Sequence, residues 1–101
     1  MDLVDKVAVV TGATSGIGTR IAQRFAEQGA AVAVAGRNME AAREIVNGIQ
    51  ANGGHAIHLK MDVADQESVD HGFERVVGEL GPVDILVSNA GIQLARKLHQ
   101  T

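Results

Sequence analysis

Lys6-Val7-Ala8-Val9-Val10-Thr11-Gly12-Ala13-Thr14-Ser15-Gly16-Ile17-Gly18 passes from an almost unbroken apolar run into a glycine-rich turn. Val7 to Val10 has the pattern of a β-strand buried on both faces, where no polar alternation is needed. Beyond the turn Ile17, Ile21 and Phe25 recur at helical spacing with Ala22 and Ala26 beside them, which makes one apolar stripe on a helix. Gly29 stands where a helix-ending residue of left-handed conformation belongs. A buried strand, a glycine turn and a helix, in that order, begin a parallel sheet.

The same unit repeats outward. Ala30 to Ala35 is a second buried run, closed by Gly36-Arg37-Asn38. Asn38 is placed to cap a helix, with Glu40 in its first turn where the dipole favours an acid. Ala42, Ile45, Val46 and Ile49 form its inner stripe, and Asn52-Gly53-Gly54 ends it. A third strand is predicted over about 55–61, with Ile57, Leu59 and Met61 on one face. Asp65 caps a further helix whose stripe is Val69, Phe73, Val76, Val77 and Leu80, stopped by Gly81-Pro82. Val83 to Ser88 is a fourth strand, and residues 89–101 carry no clear period. The order βαβαβαβ with short loops and right-handed crossovers predicts an α/β fold, a parallel sheet with helices on both faces.

Composition narrows the function. With 46% apolar and 21% charged residues over 101 positions, the chain has the make-up of a single soluble domain, residues 1–101. No apolar run is long enough for a membrane span, and Met1-Asp2-Leu3-Val4-Asp5 has neither the basic start nor the apolar core of a signal peptide. A net charge of -3 with scattered Lys and Arg argues against nucleic acid as a partner. The absence of Cys excludes disulfides and thiolate metal sites and is compatible with a cytoplasmic setting. His55, His58, His71 and His99 have no metal-ligand spacing, so no metal is expected.

The glycines carry the chemistry. Gly12 and Gly16 allow a tight turn and a close approach of phosphate to the backbone, the helix start offers free N–H groups and the positive end of its dipole, and Gly18 lets helix and strand pack closely. The spacing is G-x-x-x-G-x-G; it is neither G-x-G-x-x-G nor a P-loop, which would end in Gly-Lys-Ser/Thr. Thr11-Gly12-x-x-x-Gly16-Ile17-Gly18, together with Asp62-Val63 after the third strand and Ser88-Asn89-Ala90-Gly91 after the fourth, resembles the short-chain dehydrogenase/reductase family. The likeness runs over essentially the whole chain, and Ser88 is a one-residue departure from that family's N-N-A-G motif.

The resemblance implies a Rossmann-type parallel sheet, the first half of a doubly wound fold, with strand order 3-2-1-4. It also implies roles. Gly12, Ser15, Gly16, Ile17 and Gly18 would shape the pyrophosphate loop. Asp62 would accept from the adenine amino group with Val63 against the ring, and Asn89, Ala90 and Gly91 would lie along the ribose. Taken without the glycine fingerprint, Asp62 reads as a strand-end turn former and Asn89 as a purely structural bond; with it, the cofactor roles are preferred. The end of the second strand bears on the cofactor. An acid there would hold both ribose hydroxyls of NAD, whereas Gly36-Arg37-Asn38 has no acid and offers a guanidinium suited to a phosphate. NADP is therefore expected in preference to NAD. The missing acid also speaks against a methyltransferase-type domain.

By the same resemblance a full-length parent moves a hydride between nicotinamide and a small carbonyl/alcohol substrate and forms a homo-oligomer. The family's chemistry uses Tyr-x-x-x-Lys together with a Ser and an Asn. This chain has no Tyr, and Lys6, Lys60 and Lys97 lie in no such motif, so no catalytic residue is assigned and the chain alone is expected to be inactive. Residues 92–101 look like a loop leading into a further helix capped by Thr101, as if the protein continued. The fourth strand would then expose Ile85, Leu86 and Val87 along an open edge. The alternative is a non-catalytic module that binds a dinucleotide or pairs with another subunit.

Overall fold

The computed structural model describes residues 2–12 and 16–88, together with the backbone of 91–94. Its elements are β1 (Val7–Thr11), α1 (Gly16–Glu27), β2 (Ala31–Gly36), α2 (Met39–Ala51), β3 (His55–Lys60), α3 (Gln66–Leu80), β4 (Ile85–Ser88) and β5 (Gly91–Leu94). They form one sheet in the order β3-β2-β1-β4-β5. The first four strands are parallel, with Val9 beside Ala33 on one side and Leu86 on the other. This is the expected order 3-2-1-4.

Period-two alternation divides the core into two layers. Val10, Val32, Val34, Ala56 and Val87 point to the face covered by α1 and α2, where Ala22, Ala42, Val46 and Ile49 meet them. Val7, Val9, Ala33, Ala35, Leu59 and Met61 point to the other face, covered by α3 through Val76. Two stripe residues do not follow the expectation. Ile17 is 76% exposed and Val77 43%. Ile17 lies in the first turn of α1, beyond the edge of the sheet it would need for cover, and Val77 falls on the outer flank of a stripe whose centre is Val76.

The helix ends are built as the punctuation predicts. Asn38 and Asp65 accept from the backbone N–H of Ala41 and Glu67 at the starts of α2 and α3. At the end of α1, Ala30 N–H donates to Phe25 O and Gly29 N–H to Ala26 O, the paired bonds of a Schellman motif, with Gly29 at φ 99°. A Cβ at Gly29 would stand 2.8 Å from Val4 Cγ2. The start of β1 is fastened to β4 by one residue: Asp84 Oδ2 accepts from Val7 N–H at 2.9 Å, and Asp84 N–H donates to Val7 O at 2.9 Å.

The far side of β4 corrects the expectation of an open edge and a loop. Residues 91–94 form β5, which runs antiparallel to β4 and pairs Ile85 with Leu94, Leu86 with Gln93 and Val87 with Ile92. The physical reason is the row of backbone donors and acceptors on the outer side of β4, which a short extended segment satisfies. Thr101 lies outside the described residues.

Asp84→Ala is expected to destabilise the chain by about 1–3 kcal/mol, because the buried Val7 N–H loses its acceptor; the urea midpoint reads it. Alanine at two glycines should act in opposite directions on the same scale. Gly29→Ala should cost about 1–2 kcal/mol through its positive φ and the collision with Val4. Gly48→Ala, in the middle of α2 where a Cβ meets nothing within 4 Å, should stabilise by about 0.5–1 kcal/mol.

Candidate functional site

The parallel strands β1 to β4 all end on one side of the sheet. The order in which strands are added reverses at β1, with β2 and β3 to one side and β4 to the other, so a crevice opens at the strand ends. A cleft of about 670 Å³ occupies it, within the range of small-molecule sites. Thr11 and Gly12 come to it from β1, Gly36, Arg37 and Asn38 from the turn after β2, Met61 to Ala64 from the loop after β3, and Ser88 from β4.

Each wall has a local cause. Thr11 Oγ1 donates to Val87 O at 3.2 Å and so joins the ends of β1 and β4 at the floor. Gly12 turns the chain away at φ 68°, a left-handed conformation that favours glycine. At Gly16, the first residue of α1, a Cβ would meet nothing within 4 Å; packing does not demand a glycine there. Gly18 is buried. Ile17 and Val63 are large apolar side chains standing in water, at 76% and 65% exposure, and both belong to loops or first turns at this end of the sheet.

After β3 the chain is held in a tight turn. Asp62 Oδ1 accepts from Ala64 N–H at 3.0 Å and Asp62 O accepts from Asp65 N–H at 3.0 Å. Asp62 N–H donates to Ser68 Oγ at 2.9 Å. The turn-forming role of Asp62 is thus present in the structure, with the carboxylate at the wall of the cleft. Arg37 is exposed and makes no ion pair with a described residue; among the described residues the ion pairs are Arg24–Glu27 and Arg75–Glu79.

Of the residues singled out from the sequence, the fold brings Gly12, Arg37, Asp62 and Val63 to one cleft, with Gly16, Ile17 and Gly18 at the helix start beside it. Gly91 opens β5 with its backbone opposite Ser88. Ser15, Asn89 and Ala90 lie outside the described residues. Sequence reasoning passed over Thr11, Asn38 and Met61 as walls of the cleft, and Ser68 as the support of Asp62. A signal for Ser68 existed: it stands three residues after the cap Asp65, where side chains reach back to the preceding backbone. Among the described residues no cluster of three His, Cys, Asp or Glu side chains is arranged to hold a metal ion, and no helix is long and apolar enough to cross a membrane.

Comparison with known proteins gives a consistent result. The family model described as short chain dehydrogenase matches residues 6–101. The chain is 38% identical over 94 residues to 2,3-dihydro-2,3-dihydroxybenzoate dehydrogenase of Bacillus subtilis, covering 93% of this chain and 36% of that protein. It is 41% identical over 93 residues to gluconate 5-dehydrogenase of Gluconobacter oxydans, covering 92% of this chain and 36% of the relative. The crystal structure of hydroxysteroid dehydrogenase from Escherichia coli superposes with a TM-score of 0.83 at 40% identity, over 85% of this chain and 37% of the other. The chain therefore spans little more than a third of the length of these relatives. Glycine spacing, strand order and the cleft at the strand ends agree with these likenesses: the chain belongs to the short-chain dehydrogenase family.

Proposed function

We propose that the cleft binds NADP(H), and that residues 1–101 are the dinucleotide-binding part of an oxidoreductase acting on a small alcohol/carbonyl pair. Arg37 carries the proposal. It stands at the end of β2 on the wall of the cleft, pairs with no described acid, and has no carboxylate beside it in Gly36-Arg37-Asn38. A guanidinium there favours a 2′-phosphate, whereas the absent acid is what would favour the free ribose hydroxyls of NAD.

The remaining residues fit the other parts of a dinucleotide. Gly12 and the open space about Gly16 suit a pyrophosphate close to the backbone at the start of α1. Ser15, Ile17 and Gly18 complete that loop. The exposed side chain of Val63 suits the flat apolar face of an adenine ring, with the Asp62 carboxylate beside it as acceptor. Asn89, Ala90 and Gly91 are assigned to the ribose. When bound, the cofactor supplies or accepts a hydride. The residues of this chain bind and orient it, and the chain, lacking Tyr, is proposed to be inactive by itself and to act as a binding module. The alcohol/carbonyl class is supported by relatives whose names denote hydroxylated compounds, gluconate and a hydroxysteroid among them. A cytoplasmic homo-oligomer is the proposed setting.

Titration with NADPH and NADH, followed by their own fluorescence, tests this directly, since the chain has neither Trp nor Tyr. NADPH should bind more tightly. Arg37→Ala should weaken NADPH by about 10–100-fold, the worth of a charge-assisted contact, and leave NADH within about twofold. Equal affinities that ignore Arg37 would reject NADP. Gly16→Ala should weaken both cofactors by roughly tenfold or more without lowering the urea midpoint, because only a ligand fills the space its Cβ enters.

A further inference from the structure

Helix α3 meets the sheet along one row of residues. Ser68, Gly72 and Val76 follow one another at intervals of one helical turn and so share a face. Ser68 Oγ accepts from Asp62 N–H just beyond the end of β3. Val76 lies in the buried layer with Val7 and Val9. Gly72, between them, is buried as well. A Cβ built on Gly72 would overlap Met61 Cε, and would stand 3.1 Å from Leu59 Cδ1 and 3.8 Å from Met61 Sδ. The tip of the Met61 side chain therefore occupies the place that a side chain at position 72 would take.

The other helical glycines show that this is not a general feature of the helices. A Cβ at Gly48 or Gly78 would meet nothing within 4 Å. Glycine inside a helix is less favourable than alanine, and only at Gly72 of these three does packing use the missing side chain. Met61 is also in a singular position. Among the described residues it alone belongs both to the buried layer under α3 and to the wall of the cleft. Leu59, Val76, Val69 and Phe73 fill the interior around it. An unbranched methionine side chain yields more readily than backbone. Pushed from the α3 side, it has one open direction, and that is the cleft.

We propose that Gly72 is a positioning residue for cofactor binding: it provides a recess for Met61 and so keeps that side chain clear of the part of the cleft beside Asp62 and Val63. This rests on the reading that a dinucleotide occupies the cleft. Gly72 touches no ligand and acts through Met61. Its effect falls on NADPH and NADH alike, because both carry the same base, whereas Arg37 distinguishes between them.

The test measures Kd for NADPH and NADH with the 101-residue chain, with Gly72→Ala, and with Gly72→Ala combined with Met61→Val, which removes the sulfur and the terminal methyl. Gly72→Ala should weaken both cofactors about five- to twentyfold, the effect of an overpacked wall, and the double variant should return both to within about twofold of the unaltered chain. Urea midpoints are read alongside. A lowered midpoint of Gly72→Ala with unchanged Kd values in the folded protein would make the glycine purely structural and overturn the proposal, while the dinucleotide reading stands. Weakening of NADPH alone, or a double variant that restores neither cofactor, would also overturn it. A measurement on the unaltered chain needs no variant to fold: the nuclear Overhauser contact between the Met61 ε-methyl and the Gly72 α-protons should persist at saturation with NADPH. Its loss on binding would show that Met61 leaves the recess, against the proposal. If the unaltered chain binds neither cofactor, the reading of the cleft fails and the role of Gly72 falls with it.

Discussion

Val7, Ala8, Val9 and Val10 have almost no contact with water, and a strand covered on both faces has to lie in the interior of its sheet with helices on either side. β2 occupies one flank of β1 and β4 the other. Helices α1 and α2 cover one face and α3 the opposite one. Because the chain fills one flank first and then crosses to the other, the turns after β1 and β4 diverge, and the crevice between them follows from topology. The cleft is thus a consequence of burying β1, and its walls are whatever residues stand at four strand ends.

Those strand ends are chemically unlike the rest of the sheet. Apart from His58 in β3, the interiors of β1 to β4 are Val, Ala, Ile and Leu, whereas their C-terminal ends carry Thr11, Gly36, Lys60 and Ser88. Thr11 and Asp84 bind β1 to β4 at opposite ends, so the crevice is bounded by strands that cannot separate without breaking both bonds. The loop after β3 is held from three sides through Asp62 and Ser68. A cofactor would therefore meet a floor already in place, and little of its binding free energy would go into ordering the chain. The Arg37 guanidinium, which pairs with no described acid, and the exposed side chain of Val63 both stand on the wall of the cleft, arrangements that a dinucleotide would relieve.

Most of this was legible in the sequence because it depends on local rules. Continuous apolar runs marked the buried strands, helical spacing marked α1 to α3, and Asn38, Asp65 and Gly29 punctuate them as capping chemistry requires. What was not legible depends on pairing between distant segments. Residues 91–94 carry no period, and only the unfilled edge of β4 makes them a strand. Ile17 and Val77 fit a helical stripe by number, but exposure depends on where the sheet stops beneath them. The pairing of Gly36 with Lys60 needs the register of β3 against β2, which no motif encodes. Ser68 reads from the sequence as one more polar residue in a helix start until its bond to Asp62 is seen.

The central claim is that one dinucleotide occupies the strand-end cleft. The most direct test maps backbone amide shifts of the isotopically labelled 101-residue chain during titration with NADPH. The account expects the largest changes at Gly12, Gly16 to Gly18, Arg37, Asp62 to Ala64 and Ser88. Gln23, Gly48 and Asn52, which line a groove between α1 and α2 away from the strand ends, should stay unmoved. Shifts centred on that groove, or spread evenly over both faces of the sheet, would contradict it.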